Sequence, residues 1–363
     1  MRRLTTLFLV IFALAFETVA MPAATDAAPV YTRVNLVSDI AGVARFTDSN
    51  LVNPWGLAFG PTSPFWVADN NGNVSTLYNG RGQAFPVGSP LVVTIPSPTG
   101  PTGGAPTGLV FNGTGQFAVS AHSKSGSPLF LFSTEDGTIL GWSQAVDVHN
   151  AIIAKDNSGS GAVYKGLAIA STPKGNFIYA TNFRAGVVEM YDQNFTLKGT
   201  CTDPNVDPGF APFGIQNIGG KLFVTFALQK PGAHDDQSGP GNGFVDVFNT
   251  DCTLLRRFAS HGALNSPWGL ALAPDGFGAF SQHVLVGNFG DGRINAFDVD
   301  NGQFDGQLID PQHNPLTING LWALQFGTGA PNNGGRNELF FTAGIGDEQH
   351  GLFGSIRTED END

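Results

Sequence analysis

Asparagine and aspartate recur at one kind of place in this sequence, directly after short apolar runs: Asp69-Asn70, Asn182, Asn288 with Asp291, and Asp347-Glu348. Carboxylates and amide carbonyls are hard oxygen donors, and Ca2+ or another hard divalent cation takes about six to eight of them. Asp69, Asn182, Asn288 and Asp347, one from each run, are therefore candidate metal ligands. The same residue types also make tight turns, because they tolerate left-handed φ and bond their own backbone, so each carries a turn-forming reading beside the ligand one. Seven histidines are present, at 122, 149, 234, 261, 283, 313 and 350, and none falls in a His-Glu-x-x-His zinc spacing. There is no Gly-x-Ser-x-Gly elbow, neither cysteine has a histidine beside it, and Gly100-Pro101-Thr102-Gly103-Gly104 lacks the Lys-Ser/Thr ending of a phosphate loop. Sequons stand at Asn73, Asn112 and Asn194.

The apolar runs that position these residues belong to a repeat. Asn53-Pro54-Trp55-Gly56-Leu57-Ala58, then Phe65-Trp66-Val67-Ala68-Asp69, then Val74-Ser75-Thr76-Leu77-Tyr78 is matched almost residue for residue by Ser266-Pro267-Trp268-Gly269-Leu270-Ala271, Val284-Leu285-Val286-Gly287-Asn288 and Ile294-Asn295-Ala296-Phe297-Asp298. Four further copies carry Gly108, Gly166, Gly214 and Leu321 at the aligned position, at intervals of 48 to 58 residues. That is the length of one four-stranded blade, and six units predict an all-β, six-bladed β-propeller. A β-solenoid has much shorter rungs. Glycine and alanine suit the innermost strand, where blades crowd the axis, and the wholly apolar second strand suits a sheet sandwiched between neighbours. The sixth copy has only three strands, and Val30 to Val37 is an alternating strand with no blade of its own. We expect it to complete the last blade and close the ring.

A propeller gathers its loops at an axial mouth. The loops leading into the inner strands bring Asn53, Lys165, Asn265 and Asn319 there, and those leaving the second strands bring Asp69, Asn70, His122, Asn182, Arg184, Asn288, Asp291, Asp347, Glu348 and His350. The second strand of the second copy is read as Phe117 to Ser120, which is what places His122 near the mouth. The long irregular stretch from Gln229 to Gly243, with His234-Asp235-Asp236, either lids the mouth or is a surface loop.

Composition agrees: 48 Gly and 23 Pro suit many tight turns, and 41% hydrophobic residues suffice for a core. The net charge of −12, with no cluster of Lys or Arg, argues against nucleic acid as a partner. Met1-Arg2-Arg3, the apolar run Leu4 to Phe16 and the small residues near Ala20 and Ala28 describe a cleaved export signal, expected over 1–28. The run is too short for a bilayer, which takes about 20 apolar residues. A single propeller over 29–357 and an acidic tail over 358–363 follow, with no transmembrane span after signal removal. An oxidising compartment permits Cys201 and Cys252 to pair, and two separately buried thiols are the alternative.

On these repeats the chain resembles the NHL-repeat and TolB-like six-bladed propellers. More narrowly it is similar to exported bacterial propellers carrying Asn-Pro-Trp-Gly-Leu, as at Asn53 to Leu57. Some of those carry a PEP-CTERM sorting tail, and the acidic end here does not match it, so surface anchoring is not carried over. The resemblance implies fold and export, and no activity.

Two functions are expected. The first is a secreted or periplasmic monomer that binds a small molecule, glycan or extracellular protein at its mouth, which needs only a stable scaffold and variable loops, with Ca2+ or another divalent cation left open as a cofactor. The second is a divalent-metal-dependent hydrolase or lactonase resembling the gluconolactonase-type propellers, in which an axial ion polarises an ester and activates water. Asp69, Asn182, Asn288 and Asp347 offer similar atoms, but a matching Glu early in the chain is missing.

Overall fold

A computed structural model of the chain describes residues 30–358. The expected export signal, and the acidic tail beyond Thr358, lie outside the described residues. Six sheets account for nearly all of the regular structure. Blade 1 comprises Pro54–Ala58, Phe65–Asp69, Val74–Tyr78 and Val92–Thr94; blade 2, Pro106–Phe111, Phe130–Thr134, Thr138–Trp142 and Ile152–Asp156; blade 3, Tyr164–Thr172, Gly175–Asn182, Val187–Asp192 and Leu197–Cys201. Blade 4 comprises Phe210–Ile218, Lys221–Leu228, Phe244–Asn249 and Leu254–Ser260; blade 5, Pro267–Leu272, His283–Asn288, Ile294–Asp298 and Phe304–Gln307. Blade 6 takes Leu321–Phe326, Leu339–Ala343 and Leu352–Thr358, and is completed by the N-terminal strand Tyr31–Ser38, antiparallel to the last, with Val34 opposite Ser355. Each inner strand packs on the next, and that of blade 6 packs on that of blade 1, so the ring is closed. No helix among the described residues is long and apolar enough to cross a membrane.

Apolar side chains fill the six spaces between blades. Leu109, Trp66 and Phe130 join blades 1 and 2; Val224, Tyr179 and Phe244 join blades 3 and 4; Tyr31, Leu285 and Phe341 join blades 5 and 6. Near the axis the spacing tightens until only glycine fits. A Cβ on Gly214 would run into the Trp268 carbonyl, and one on Gly108 into the Leu167 backbone.

The register of every inner strand slips at one place, between Pro54 and Leu57 in blade 1 and between Leu321 and Leu324 in blade 6. This aligns Gly56, Gly108, Gly166, Gly214 and Gly269 with Ala323, whose N–H donates to the Thr342 hydroxyl oxygen as that of Gly214 donates to Thr225. Leu321, the residue aligned from sequence, is two positions early. A second correction falls in blade 2: its second strand is Phe130–Thr134, and Val119–Ala121 instead pairs with Lys124–Gly126 in a separate hairpin. Residues 112–129 are an insertion at the end of the blade remote from the mouth, since Phe130 pairs with Phe111 while Thr134 pairs with Pro106.

Cys201, ending blade 3, and Cys252, in the turn between the outer strands of blade 4, form a disulfide.

Candidate functional site

The bulge in each inner strand aims one side chain at the axis just before the tight glycine or alanine. These six are Trp55, Thr107, Lys165, Phe213, Trp268 and Trp322. Trp55 stacks on Trp322 at 3.5 Å between ring centroids, and Trp268 meets both edge-on. Together they plug the channel. Indole N–H groups are anchored where possible: Trp268 Nε1 donates to the Lys165 carbonyl at 2.9 Å and Trp322 Nε1 to Asn53 Oδ1 at 3.0 Å.

Lys165 is the charged member of that ring and only 2% exposed. Its ammonium is bonded to Glu135, lies 4.0 Å from Asp235 Oδ1, and sits 5.1 Å from the Trp55 ring centre and 5.8 Å from that of Phe183. A buried ammonium requires such partners, because taking it out of water costs several kcal/mol. Asn70 Nδ2 donates to the other oxygen of Glu135 at 3.0 Å. Two more carboxyls feel the ammonium, those of Asp236 and Glu348. Burial raises Asp236, against the pull of Ser266 and Lys165. Glu348 is pushed up to about 7, first by burial and then by the negative charge of Glu135. At Asp235 burial opposes ionisation, but the His234 bond at 2.7 Å and Lys165 outweigh it, and its carboxyl lies below the ordinary range.

The chain from Gln229 to Gly243 is what brings Asp235 and Asp236 here. Gln229 Nε2 donates to the Phe183 carbonyl of blade 3, and the Gly239 N–H donates to Asn265 Oδ1 of blade 5 at 2.7 Å, so the loop is pinned across the mouth. Beside it, between blades 5 and 6, lies a cavity of ≈360 Å3 lined by Ser238, Phe289, Asp291, Asn319, Asp347 and Glu348 among others. The opposite end of the axis differs in chemistry: a cavity of ≈250 Å3 there is lined by Leu57, Leu109, Phe111 and Ile169 with Gln216 and Gln325.

Of the residues expected at the mouth, the structure brings together Asn53, Asn70, Lys165 and Glu348, with Asp291, Asn319 and Asp347 on the cavity wall. Asn53 Nδ2 lies 3.5 Å from Glu348 Oε2. Asp69, Asn182 and Asn288 are turned back into their own blades. Asp69 accepts the Thr76 hydroxyl at 2.7 Å and is held well above the carboxylate range by burial; Asn182 donates to Glu189; Asn288 donates to the Ala263 carbonyl and to Asp291. Strand alternation is the reason: the next residue of each exit, Asn70, Glu135, Phe183 or Phe289, faces the axis instead. The proposed ligand set Asp69, Asn182, Asn288 and Asp347 is therefore not assembled around one point. Asn265 secures the loop, Arg184 is exposed and donates to the Gly161 carbonyl, and His350 is bonded to Asp39 at 2.7 Å. His122 sits on the remote hairpin, away from the mouth, because the second strand of blade 2 lies later than the apolar pattern suggested. Glu135 was missed for the same reason, and the signal that would have found it is the pair of near-continuous apolar runs, Phe130-Leu131-Phe132 and Thr138 to Trp142, flanking the turn residues Glu135-Asp136-Gly137.

One metal-competent group occurs among the described residues: ligand atoms of Glu135, His234 and Asp235 lie within 4.8 Å of one another.

Fold and site together define a six-bladed β-propeller with an ion-lined axial mouth. No family model matches the chain. It is 35% identical over 332 residues to an uncharacterized protein of Acanthamoeba polyphaga mimivirus, covering 88% of this chain and 78% of that one. A second uncharacterized mimivirus protein is 33% identical over 335 residues, covering 88% and 84%. The chain belongs to the family of these two proteins. Among solved structures, virginiamycin B lyase from Staphylococcus aureus matches at a TM-score of 0.52 and 12% identity, covering 91% of this chain and 99% of that one. The soluble aldose sugar dehydrogenase from Escherichia coli matches at 0.54 and 10%, covering 91% and 100%. At such identities these likenesses bear on the fold alone.

Proposed function

We propose that this chain is an exported binding protein that holds a small polar molecule at the Lys165 end of its axis. The observation that carries the reading is the buried ammonium with four carboxyls around it. Closing a propeller needs no such charge, since the other five blades fill the same ring position with Trp, Phe or Thr. Ion clusters of this kind cost desolvation energy and add little net stability, so a ligand-recognition role accounts for them better than packing does. Export is supported by the disulfide, which persists in oxidising compartments, and by the signal-like N-terminal sequence. The Asn-Pro-Trp-Gly-Leu segment supports kinship with exported bacterial propellers and with NHL-repeat and TolB-like chains.

The test is a thermal-shift panel of small cations, anions and sugars on the mature chain. A saturable shift that is lost in Glu135→Gln and Glu348→Gln but kept in His122→Ala is the expected result. A shift that survives both mouth variants places the ligand elsewhere.

The Glu135, His234 and Asp235 triangle favours a second reading, a divalent-metal hydrolase. These are suitable N and O donors, yet the Lys165 ammonium already occupies Glu135 and neighbours Asp235, so a divalent ion and Lys165 do not fit there together. Elemental analysis and melting with and without EDTA decide the matter: a stoichiometric ion whose removal lowers the melting temperature supports it, and no ion with unchanged melting rejects it.

A further inference from the structure

We infer that the mouth selects small organic cations, such as amino sugars and short amines, and that the cavity between blades 5 and 6 is where the cationic group lodges. This rests on the reading that the mouth is a ligand site, and adds the chemical class of the ligand. The cavity wall carries three acids, Asp291, Asp347 and Glu348, and no Lys, Arg or His. Its aromatic member, Phe289, stacks on Trp322 with ring centroids 4.1 Å apart, so the wall carries an aromatic ring as well as the acids. Carboxylates combined with an aromatic face are what recognise an ammonium group.

The protein already shows this recognition once. Lys165 holds its own ammonium against Glu135 and Asp235 and over Trp55 and Phe183. One ammonium does not satisfy the acids gathered there. Asp236 is 7% exposed and is drawn by Ser266 and Lys165, although its Oδ2 makes no hydrogen bond of ordinary length; it stands two residues from the cavity-lining Ser238 and adds its charge to the field at Glu348. Glu348, raised first by burial and then by Glu135, with Asp236 and Asp235 adding to it against the pull of Lys165, stands in the same crowd of acids. An incoming cation relieves it, whereas an anion adds to it. Asn319 and Ser238 on the wall supply hydrogen-bonding partners for hydroxyl groups.

Three probes of nearly one shape separate charge from size: glucosamine, glucose and glucuronate, with spermidine as a linear amine. Calorimetric titration of each into the mature chain at low salt is the experiment. Saturable binding of glucosamine or spermidine, at least about tenfold tighter than glucose and absent for glucuronate, is expected. Asp347→Asn should weaken it about fivefold and Asp300→Asn, in an outer turn of blade 5, should leave it unchanged. Glucose or glucuronate binding as tightly as glucosamine overturns the cation preference while leaving the mouth a ligand site. Failure of both amines also overturns it, and the mouth reading itself falls only if the broader panel gives no shift that depends on Glu135 and Glu348.

Discussion

Lys165 and Glu348 show how burial alone turns ordinary surface residues into a site. Glu348 ionises near 4.5 in a solvated chain and near 7 when folded. Folding therefore favours its protonated form. The stability it contributes is fully present below about pH 4.5 and is lost as pH rises through about 7. Glu348→Gln keeps the neutral shape at every pH, so its melting temperature should match that of the parent below about pH 4.5, exceed it by a growing margin from there to about pH 7, and hold that margin at higher pH. Asp246 in blade 4, also raised to about 7 by burial, titrates in the same window in both proteins and cancels from the difference. Equal pH profiles would show that Glu348 is not held at an elevated value. At this scale the sequence was half legible. Lys165 was legible only as one of four polar residues leading into inner strands; that it replaces an aromatic or threonine of the ring emerges once the strand bulges align the blades. Asp69, Asn182 and Asn288 looked alike in sequence and are alike in space, but one residue of strand alternation turns them from the axis into their blades.

Strands and loops were readable wherever the apolar pattern was uninterrupted. Blades 1, 3 and 5 follow the repeat directly, while blade 2 hid its second strand behind the insertion 112–129, in which Phe117 and Val119 are themselves buried. An apolar run that packs outside the sheet is indistinguishable in sequence from one within it. The inner-strand glycines were legible as crowded positions, and their neighbours are now explicit. Gly214→Ala forces its Cβ against the Trp268 carbonyl, backbone that cannot swing aside. Overpacking of this kind costs about 1–3 kcal/mol or more, and urea unfolding of Gly214→Ala should show at least that loss. Glycine at the matching Ala323 should cost less, since only a methyl group is removed. The loop 229–243 was recognisable by length, but its reach across the mouth depends on Gln229 and Asn265, which no local pattern reveals.

Closure governs the whole molecule. The strand Tyr31–Ser38 joins the first described residues to the last, and deleting it leaves blade 6 with a bare edge. A chain lacking 30–38 should lose cooperative unfolding, read by circular dichroism against temperature. The disulfide adds a second tie, between blades 3 and 4. Its cysteines are 51 residues apart, and chain entropy sets the value of closing such a loop at about 4 kcal/mol. Reduction should lower the urea midpoint without changing the folded spectrum, and an unchanged midpoint would mean the tie contributes nothing. The six-fold repeat and the return of the N-terminal strand were visible in sequence because they depend on pattern and count; the single Lys165 cluster was not, because it draws on blades 2, 3, 4 and 6 at once.

The most direct test is a double-mutant cycle on Lys165→Met and Glu135→Gln, read by urea unfolding. If the ammonium is buried against Glu135 on the axis, Lys165→Met alone should cost about 3–5 kcal/mol by stranding the carboxyls. The double variant should then recover part of that loss, with a coupling above about 0.5 kcal/mol. Strictly additive losses would mean that the two side chains do not meet, and the mouth would lose the charge centre on which its binding role depends.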